Sequence, residues 1–348
     1  MKWNLPARNS AYRASALERQ SVLTKPTGAL GALEDVAVWL ADIQQTDRPT
    51  ANSASVIVFA SDHPVSELGV SAYPREVTPM MVINLAVGGA AASVLSRLYN
   101  APLYVVDVGA EPYPDPEPED PVHWSRVEVR GAVGNLRDTD AMDAIALEDS
   151  LTAGADAVDA LPEGTHILIL GEMGIGNTTP ASALAARLLQ CSADEMVGPG
   201  TGVSGEALEA KRALVSMALA RTEDSMEPLE VLQRLGGREI AAIVGAMGRA
   251  AERGIAILVD GFIVSSAALV AVRMDERLRD FLWFGHRSAE PGHARILEAL
   301  KASPLVDAGL RLGEGSGALT ALPLVRAAAA LHNEMATFEQ ASVPNREN

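Results

Sequence analysis

Five short apolar runs, at residues 55–60, 103–108, 166–170, 255–259 and 281–284, alternate with longer Ala- and Leu-rich stretches. Runs of four to six apolar residues without polar alternation suit strands buried on both faces. The stretches between them, at 78–99, 181–190, 239–253 and 264–273, read as helices. Strand and helix in alternation imply parallel βαβ units, and so an α/β fold with helices on both faces of one sheet. Residues 11–45 read as helical with a break at Lys25-Pro26-Thr27-Gly28, and residues 318–340 as helical with Pro323 in the early turns. Residues 111–121 carry five prolines and five acids and read as an extended surface loop. In open α/β sheets ligands bind outside the carboxyl ends of the strands. Each expected strand ends there in a small polar or glycine-bearing cluster: Ser61-Asp62-His63, Asp107-Val108-Gly109, Gly171-Glu172-Met173-Gly174, Asp260-Gly261-Phe262 and Gly285-His286-Arg287-Ser288.

The richest of these clusters is Gly171-Glu-Met-Gly-Ile-Gly-Asn-Thr-Thr-Pro180, between an expected strand and an expected helix. Glycines at such a turn let backbone N–H groups approach an anion, and the helix N-terminus adds partial positive charge. The triphosphate loop pattern fits Gly171, Gly176 and Thr178, but Asn177 stands where its lysine belongs. The dinucleotide fingerprint fits Gly174 and Gly176, but Thr179 takes the third glycine's place. A phosphate site and a glycine turn that only packs a helix on a strand both fit this segment.

The 348 residues, 48% of them hydrophobic, suffice for one large core with a smaller attachment. A net charge of −17 without any Lys/Arg cluster argues against nucleic acid and anionic membranes as partners. An anionic substrate would need a local positive site within a negative surface. One cysteine, Cys191, fits a reducing compartment. The polar start of the chain lacks a signal pattern and no apolar run reaches membrane-spanning length, so a soluble, cytoplasmic protein is expected. Six histidines form no metal-binding pattern; His286 and His293, seven apart across Pro291-Gly292, read as loop residues with structural roles, and no metal is expected. Ser288 and Ser316 lack the nucleophile-elbow spacing.

Together, Lys25-Pro-Thr-Gly-Ala-Leu-Gly-Ala-Leu-Glu34, Asp62-His63, Gly69-Val-Ser-Ala-Tyr-Pro74 with Val77-Thr78, Gly88-Gly-Ala-Ala91, the 171–179 run, Gly200-Thr-Gly202, the segment from Gly237 to Ala242, Asp260-Gly-Phe-Ile263, Gly285-His-Arg-Ser288 and Leu312-Gly-Glu-Gly-Ser-Gly317 resemble one family. It is the nicotinate-nucleotide–dimethylbenzimidazole phosphoribosyltransferases of cobalamin nucleotide-loop assembly. The motifs occur in family order from residue 25 to about 340. Pro64, Pro199, Thr27 and Ala29 depart from the family pattern.

The resemblance implies a doubly wound, Rossmann-like parallel sheet in a catalytic domain of residues 51–317, with a small helical domain from residues 1–50 and 318–348. It implies a homodimer without a cofactor. The implied reaction is attack by 5,6-dimethylbenzimidazole, or a related base, on C1′ of nicotinate mononucleotide, with inversion and loss of nicotinate. Glu314 matches the family's general base and Glu172 a second acid near the reacting groups. Phosphate and ribose are expected at Gly174, Ile175, Gly176, Asn177, Gly202 and Lys211, the phosphate on the backbone N–H groups of Gly174 to Gly176. Lys211 competes with a reading as a solvated helix residue beside the equally basic Arg212. Tyr73, Met80, Met81 and Leu312 are expected as walls of a flat, apolar base pocket. Two other readings are a nicotinamide-dinucleotide oxidoreductase and a base-binding protein without turnover.

Overall fold

A computed structural model describes residues 2–224 and 226–344; residue 1 and residues 345–348, the outer ends of the expected terminal segments, lie outside the described residues. The chain begins with helices α1 (Ser10–Val22) and α2 (Ala32–Gln44), then enters the sheet at β1 (Ala54–Ser61). Helices α3 (Val77–Ala86) and α4 (Ala91–Leu98) lead to β2 (Leu103–Gly109) and β3 (Val122–Arg126), and α5 (Ala144–Asp159) crosses to β4 (Ile167–Met173). A helical segment follows: α6 (Thr178–Leu189), α7 (Ala193–Met196), α8 (Glu206–Arg221), α9 (Pro228–Leu235) and α10 (Arg238–Glu252). The chain closes with β5 (Ala256–Val259), α11 (Phe262–Met274), β6 (Leu282–Phe284), α12 (Pro291–Ala299) and α13 (Ser316–Glu334).

The six strands are all parallel, in the order β3-β2-β1-β4-β5-β6. This is the doubly wound order. The chain winds outward from β1 to β3, then crosses to β4 on the other side of β1, so the topological switch lies between β1 and β4. Every residue of β1 and β4 is buried, which is why these strands read as unbroken apolar runs. Burying a side chain such as Phe59 or Ile57 completely stabilises the fold by about 1.5–3 kcal/mol each.

Helices cover both faces. On one, α10 lies across the sheet and packs closely on α5. The approach requires Gly154 and Gly245, where a Cβ would overlap the carbonyls of Ala242 and Leu151. On the other, α3, α4 and α13 cover the sheet. The terminal helices α1, α2 and α13 pack together: Gln20 bonds the His332 ring at 3.0 Å, and Leu23 bridges to Thr337. Trp39 of α2 donates to the Asp280 carbonyl at 2.9 Å and packs on Trp283 of β6, and the buried residues of α2 and α13 are continuous with those of the sheet.

Several expectations are corrected. The stretch 78–99 is two helices, because Gly88 takes φ +84° and a Cβ on Gly89 would overlap the Asn84 side chain. The whole of Val77–Leu98 is nevertheless long and apolar enough to cross a membrane by composition, with half of it buried in the fold. The acidic, proline-rich loop is followed by β3, a strand absent from the expected set. His293 is not a loop residue, since Pro291 opens α12 and places His293 in its first turn. Proline suits that position, where its missing N–H has no intrahelical partner to lose.

Candidate active site

A cavity of about 510 Å³ lies outside the carboxyl ends of β4, β5 and β6. Tyr73, Val77 and Met81 arrive from α3 and the loop before it, Ile175 and Phe262 follow β4 and β5, and Leu312 precedes α13. These form apolar wall. Met173, Ile263 and Val264 add to it, and the charged side chains of the lining fall into two groups with different neighbours.

The acidic wall is Glu314, Glu172 and Asp260, all buried. Glu314 sits in the left-handed region at φ +62°, between Gly313 at φ +92° and Gly315 at φ +77°. A non-glycine residue there is uncommon and carries roughly 1–3 kcal/mol of strain, of the kind that collects at working sites. The turn is held by close approach. A Cβ on Gly171 would overlap the Glu314–Gly315 peptide, and one on Gly313 would overlap Glu172 Oε1. The first glycine of the 171–180 run therefore seats the Glu314 backbone on β4. Glu314 Oε2 accepts from the Ala92 N–H at 3.4 Å, in the first turn of α4. Burial raises the Glu314 pKa; the Ala92 N–H opposes this and the Asp260 charge adds to it. Burial also pushes Glu172 well above the usual carboxylate range, reinforced by Asp260, Glu239 and Glu314 and opposed by Asn177, whose amide donates to Glu172 Oε2. Asp260 Oδ1 accepts from the Ala318 N–H at 2.8 Å, and His286 Nε2 lies 3.4 Å from the same oxygen.

The basic corner is built around Lys211. Only 1% exposed, this residue is no solvated helix position; Arg212 beside it turns outward to Glu209 at 2.7 Å. Lys211 Nζ donates to Thr178 Oγ1 at 2.7 Å and to the Gly198 carbonyl at 3.1 Å. Burial lowers its pKa to about 8, against the opposing charge of Glu290. Thr178, Gly200, Thr201, Glu290 and Arg311 line the cavity in front of it. Arg311 donates to the Gly200 carbonyl at 3.4 Å, and Thr201 Oγ1 bonds Ser71 Oγ at 2.9 Å and the Ala72 N–H at 3.1 Å.

Of the expected site residues, Glu314, Glu172, Gly174, Ile175, Asn177, Tyr73, Met81 and Leu312 line the cavity. Met80 does not; it is 63% exposed, because adjacent helical residues point about 100° apart and Met81 takes the inward position. Gly176, Gly202 and Lys211 stand outside the lining, Lys211 behind Thr178, whereas Gly200 and Thr201 are within it. The Ile175 N–H is not available to an anion, since it donates to Thr78 Oγ1 at 3.0 Å. Arg311, Glu290 and Thr178 were missed from the sequence, as were roles for Asp260 and His286, although Asp260 and His286 stand in the strand-end clusters. His293 is held at both ring nitrogens, by Ser265 Oγ at 3.0 Å and the Ser288 N–H at 2.8 Å, and burial lowers its pKa to about 3. His63 pairs with Glu239 at 2.7 Å behind Gly174. Among the described residues no group of three or more His, Cys, Asp and Glu is placed to hold a metal ion.

A family model described as a phosphoribosyltransferase, DBI_PRT, matches residues 5–343. The nicotinate-nucleotide–dimethylbenzimidazole phosphoribosyltransferase of Pseudomonas syringae pv. syringae (strain B728a) is 49% identical over 348 residues, covering 99% of this chain and 98% of that protein. The enzyme of the same name from Azotobacter vinelandii (strain DJ / ATCC BAA-1303) is 50% identical over 333 residues, 95% of this chain and 94% of that one. The crystal structure of CobT from Thermus thermophilus matches with a TM-score of 0.91 at 44% identity, covering 97% of this chain and all of that one.

Proposed function

Because this chain belongs to the DBI_PRT phosphoribosyltransferase family, we propose that it moves the 5-phosphoribosyl group of nicotinate mononucleotide onto 5,6-dimethylbenzimidazole. Nicotinate leaves, and α-ribazole 5′-phosphate forms for the nucleotide loop of cobalamin. The attack inverts C1′, turning a β-nucleotide into an α-product.

The observation that carries this reading is the strained, buried Glu314 at the acidic wall of the cavity, opposite the apolar side chains of Tyr73, Met81 and Leu312 that share its lining. Nicotinate departs from a cationic pyridinium and needs no general acid. The incoming benzimidazole gains positive charge as its nitrogen bonds C1′, and its other ring N–H must lose a proton. A carboxylate does both jobs, taking the proton and stabilising the cation as it forms. Burial raises the Glu314 pKa toward that of its task, while the Ala92 N–H at a helix N-terminus favours the charged form. Burial, with the charges of Asp260, Glu239 and Glu314 adding to it, favours the neutral form of Glu172, whose Oε2 accepts from the Asn177 amide. Lys211, Thr178 and Arg311 then receive the phosphate that the acidic wall repels. Val87, Val94 and Leu98, exposed on α4 and the turn before it, support the homodimer, which light scattering on the purified protein would test against a monomer mass.

The test is a product assay with nicotinate mononucleotide and 5,6-dimethylbenzimidazole. Stoichiometric release of nicotinate and α-ribazole phosphate, identified by chromatography and mass, is expected. Absence of both products, also with adenine, other benzimidazoles and phenols as acceptors, contradicts the reading.

A further inference from the structure

A buried carboxylate beside a phosphate subsite is out of place on electrostatic grounds. Glu290 is such a group: it lines the cavity with Gly200, Thr178 and Arg311, and it is 6% exposed. It stands at the N-cap of α12, yet its side chain makes no cap. Instead Oε1 accepts from the Gly200 N–H at 3.0 Å. Oε2 has no hydrogen-bond partner and packs against Gly198, where a Cβ would overlap it. Gly198 in turn offers its carbonyl to Lys211. The Gly198–Gly200 backbone is thus held from one side by Lys211 and from the other by Glu290, with Arg311 on the Gly200 carbonyl.

We propose that Glu290 is a positioning residue for the phosphate: its carboxylate, bonded to the Gly200 N–H and packed on Gly198, fixes the Gly198–Gly200 backbone against Lys211. The proposal rests on the reading of this corner as the phosphate subsite. A lysine buried this deeply tends to shed its proton, and an opposite charge close by favours keeping it. Glu290 is the charge that does so. Four charged groups on neighbouring elements are engaged elsewhere. Arg212 turns to Glu209 and Asp194, Arg187 of α6 bonds the Leu219 carbonyl, and Glu195 of α7 pairs with Arg295. Arg311 faces Glu290 and the Gly200 carbonyl. Burial raises the Glu290 pKa, and Lys211, the Gly200 N–H and Arg311 oppose that rise.

Lysines occur at four positions only, 2, 25, 211 and 301, so a full-length protein carrying isotope-labelled lysine gives a spectrum in which Lys211 is assigned by its loss in Lys211→Arg. Lys211 should titrate near 8 in the wild type. In Glu290→Gln, which keeps an acceptor for the Gly200 N–H and removes the charge, it should titrate about one unit lower. Calorimetry with inorganic phosphate at about pH 7.5 should then show roughly threefold weaker binding, the loss of protonated Lys211 that this shift entails. Glu290→Ala, which also frees the Gly200 N–H, should weaken it further, and Glu290→Asp should bring the titration back toward the wild-type value. An unchanged Lys211 titration in Glu290→Gln, or phosphate binding equal to or tighter than wild type, overturns the proposal, as does a wild type that binds no phosphate. Neither readout needs turnover. A protein that passes both but makes no α-ribazole phosphate sinks the transferase reading and leaves Glu290 its role.

Discussion

At the acidic wall of the cavity three buried carboxylates face one another; at the basic corner one buried lysine faces one glutamate. Both arrangements put charge out of water, and the neighbours decide the result. Among the acids, burial and like charge act in the same direction, so Glu172 and Glu314 both rise. At Lys211, burial and Glu290 act against each other, and the lysine comes to rest near 8. A cavity with this polarity suits a molecule that carries a cationic ring and an anionic phosphate, and it disfavours that molecule turned end for end.

The contrast between the two groups should show most visibly at Glu314. Glu314→Gln should lower turnover at least ~100-fold while nucleotide binding stays close to wild type; turnover within a few-fold of wild type would remove Glu314 from the base role. Lys211→Ala should act on the other group. Its KM for the nucleotide should rise about tenfold or more, the scale of a lost charged hydrogen bond, with kcat changed far less. A fall confined to kcat would place Lys211 with the chemistry instead. In the wild type, kcat/KM for the nucleotide should fall as pH rises through about 8, because the cation that attracts phosphate is protonated only below that value.

Smaller effects separate neighbours within each group. Met81→Ala should raise KM for the base by roughly tenfold through lost apolar contact, whereas Met80→Ala, on the exposed side of α3, should change it less than about twofold. Equal effects would contradict the assignment of the wall. Asp260→Asn keeps the acceptor for the Ala318 N–H and removes a charge that raises Glu314. A general base must be deprotonated, so lowering its pKa moves the acid limb of the rate profile to lower pH, by up to about one unit. A limb that stays in place would mean that another group controls it.

The parallel sheet with helices on both faces was readable in the sequence for a physical reason, while its doubly wound order came from the family resemblance. Strands β1, β2, β4, β5 and β6 are buried almost throughout and so appear as plain apolar runs. Strand β3, Val-His-Trp-Ser-Arg on the sheet edge, is mostly solvent-facing and gives no such run. The break between α3 and α4 was hidden by a continuous apolar composition, and its glycines matter through contacts made only in three dimensions. At the site, residue patterns alone did not separate Glu314 from an ordinary turn glutamate; the family resemblance did. Nothing local marked Glu290 or Arg311, since each works by touching Gly200, which is 90 and 111 residues away in the chain. The glycine run leads to the strand end that lines the cavity, and two of its residues have structural work there. Gly171 seats the Glu314 backbone, and Thr78 already occupies the Ile175 N–H that the sequence offered to phosphate.

The most direct test of the cavity's polarity is a crystal structure of the protein soaked with nicotinate mononucleotide. The phosphate is expected at Thr178, Arg311 and Lys211, with C1′ and the pyridinium ring turned toward Glu314. A phosphate seated away from Lys211, or a ring turned from Glu314, would contradict that polarity.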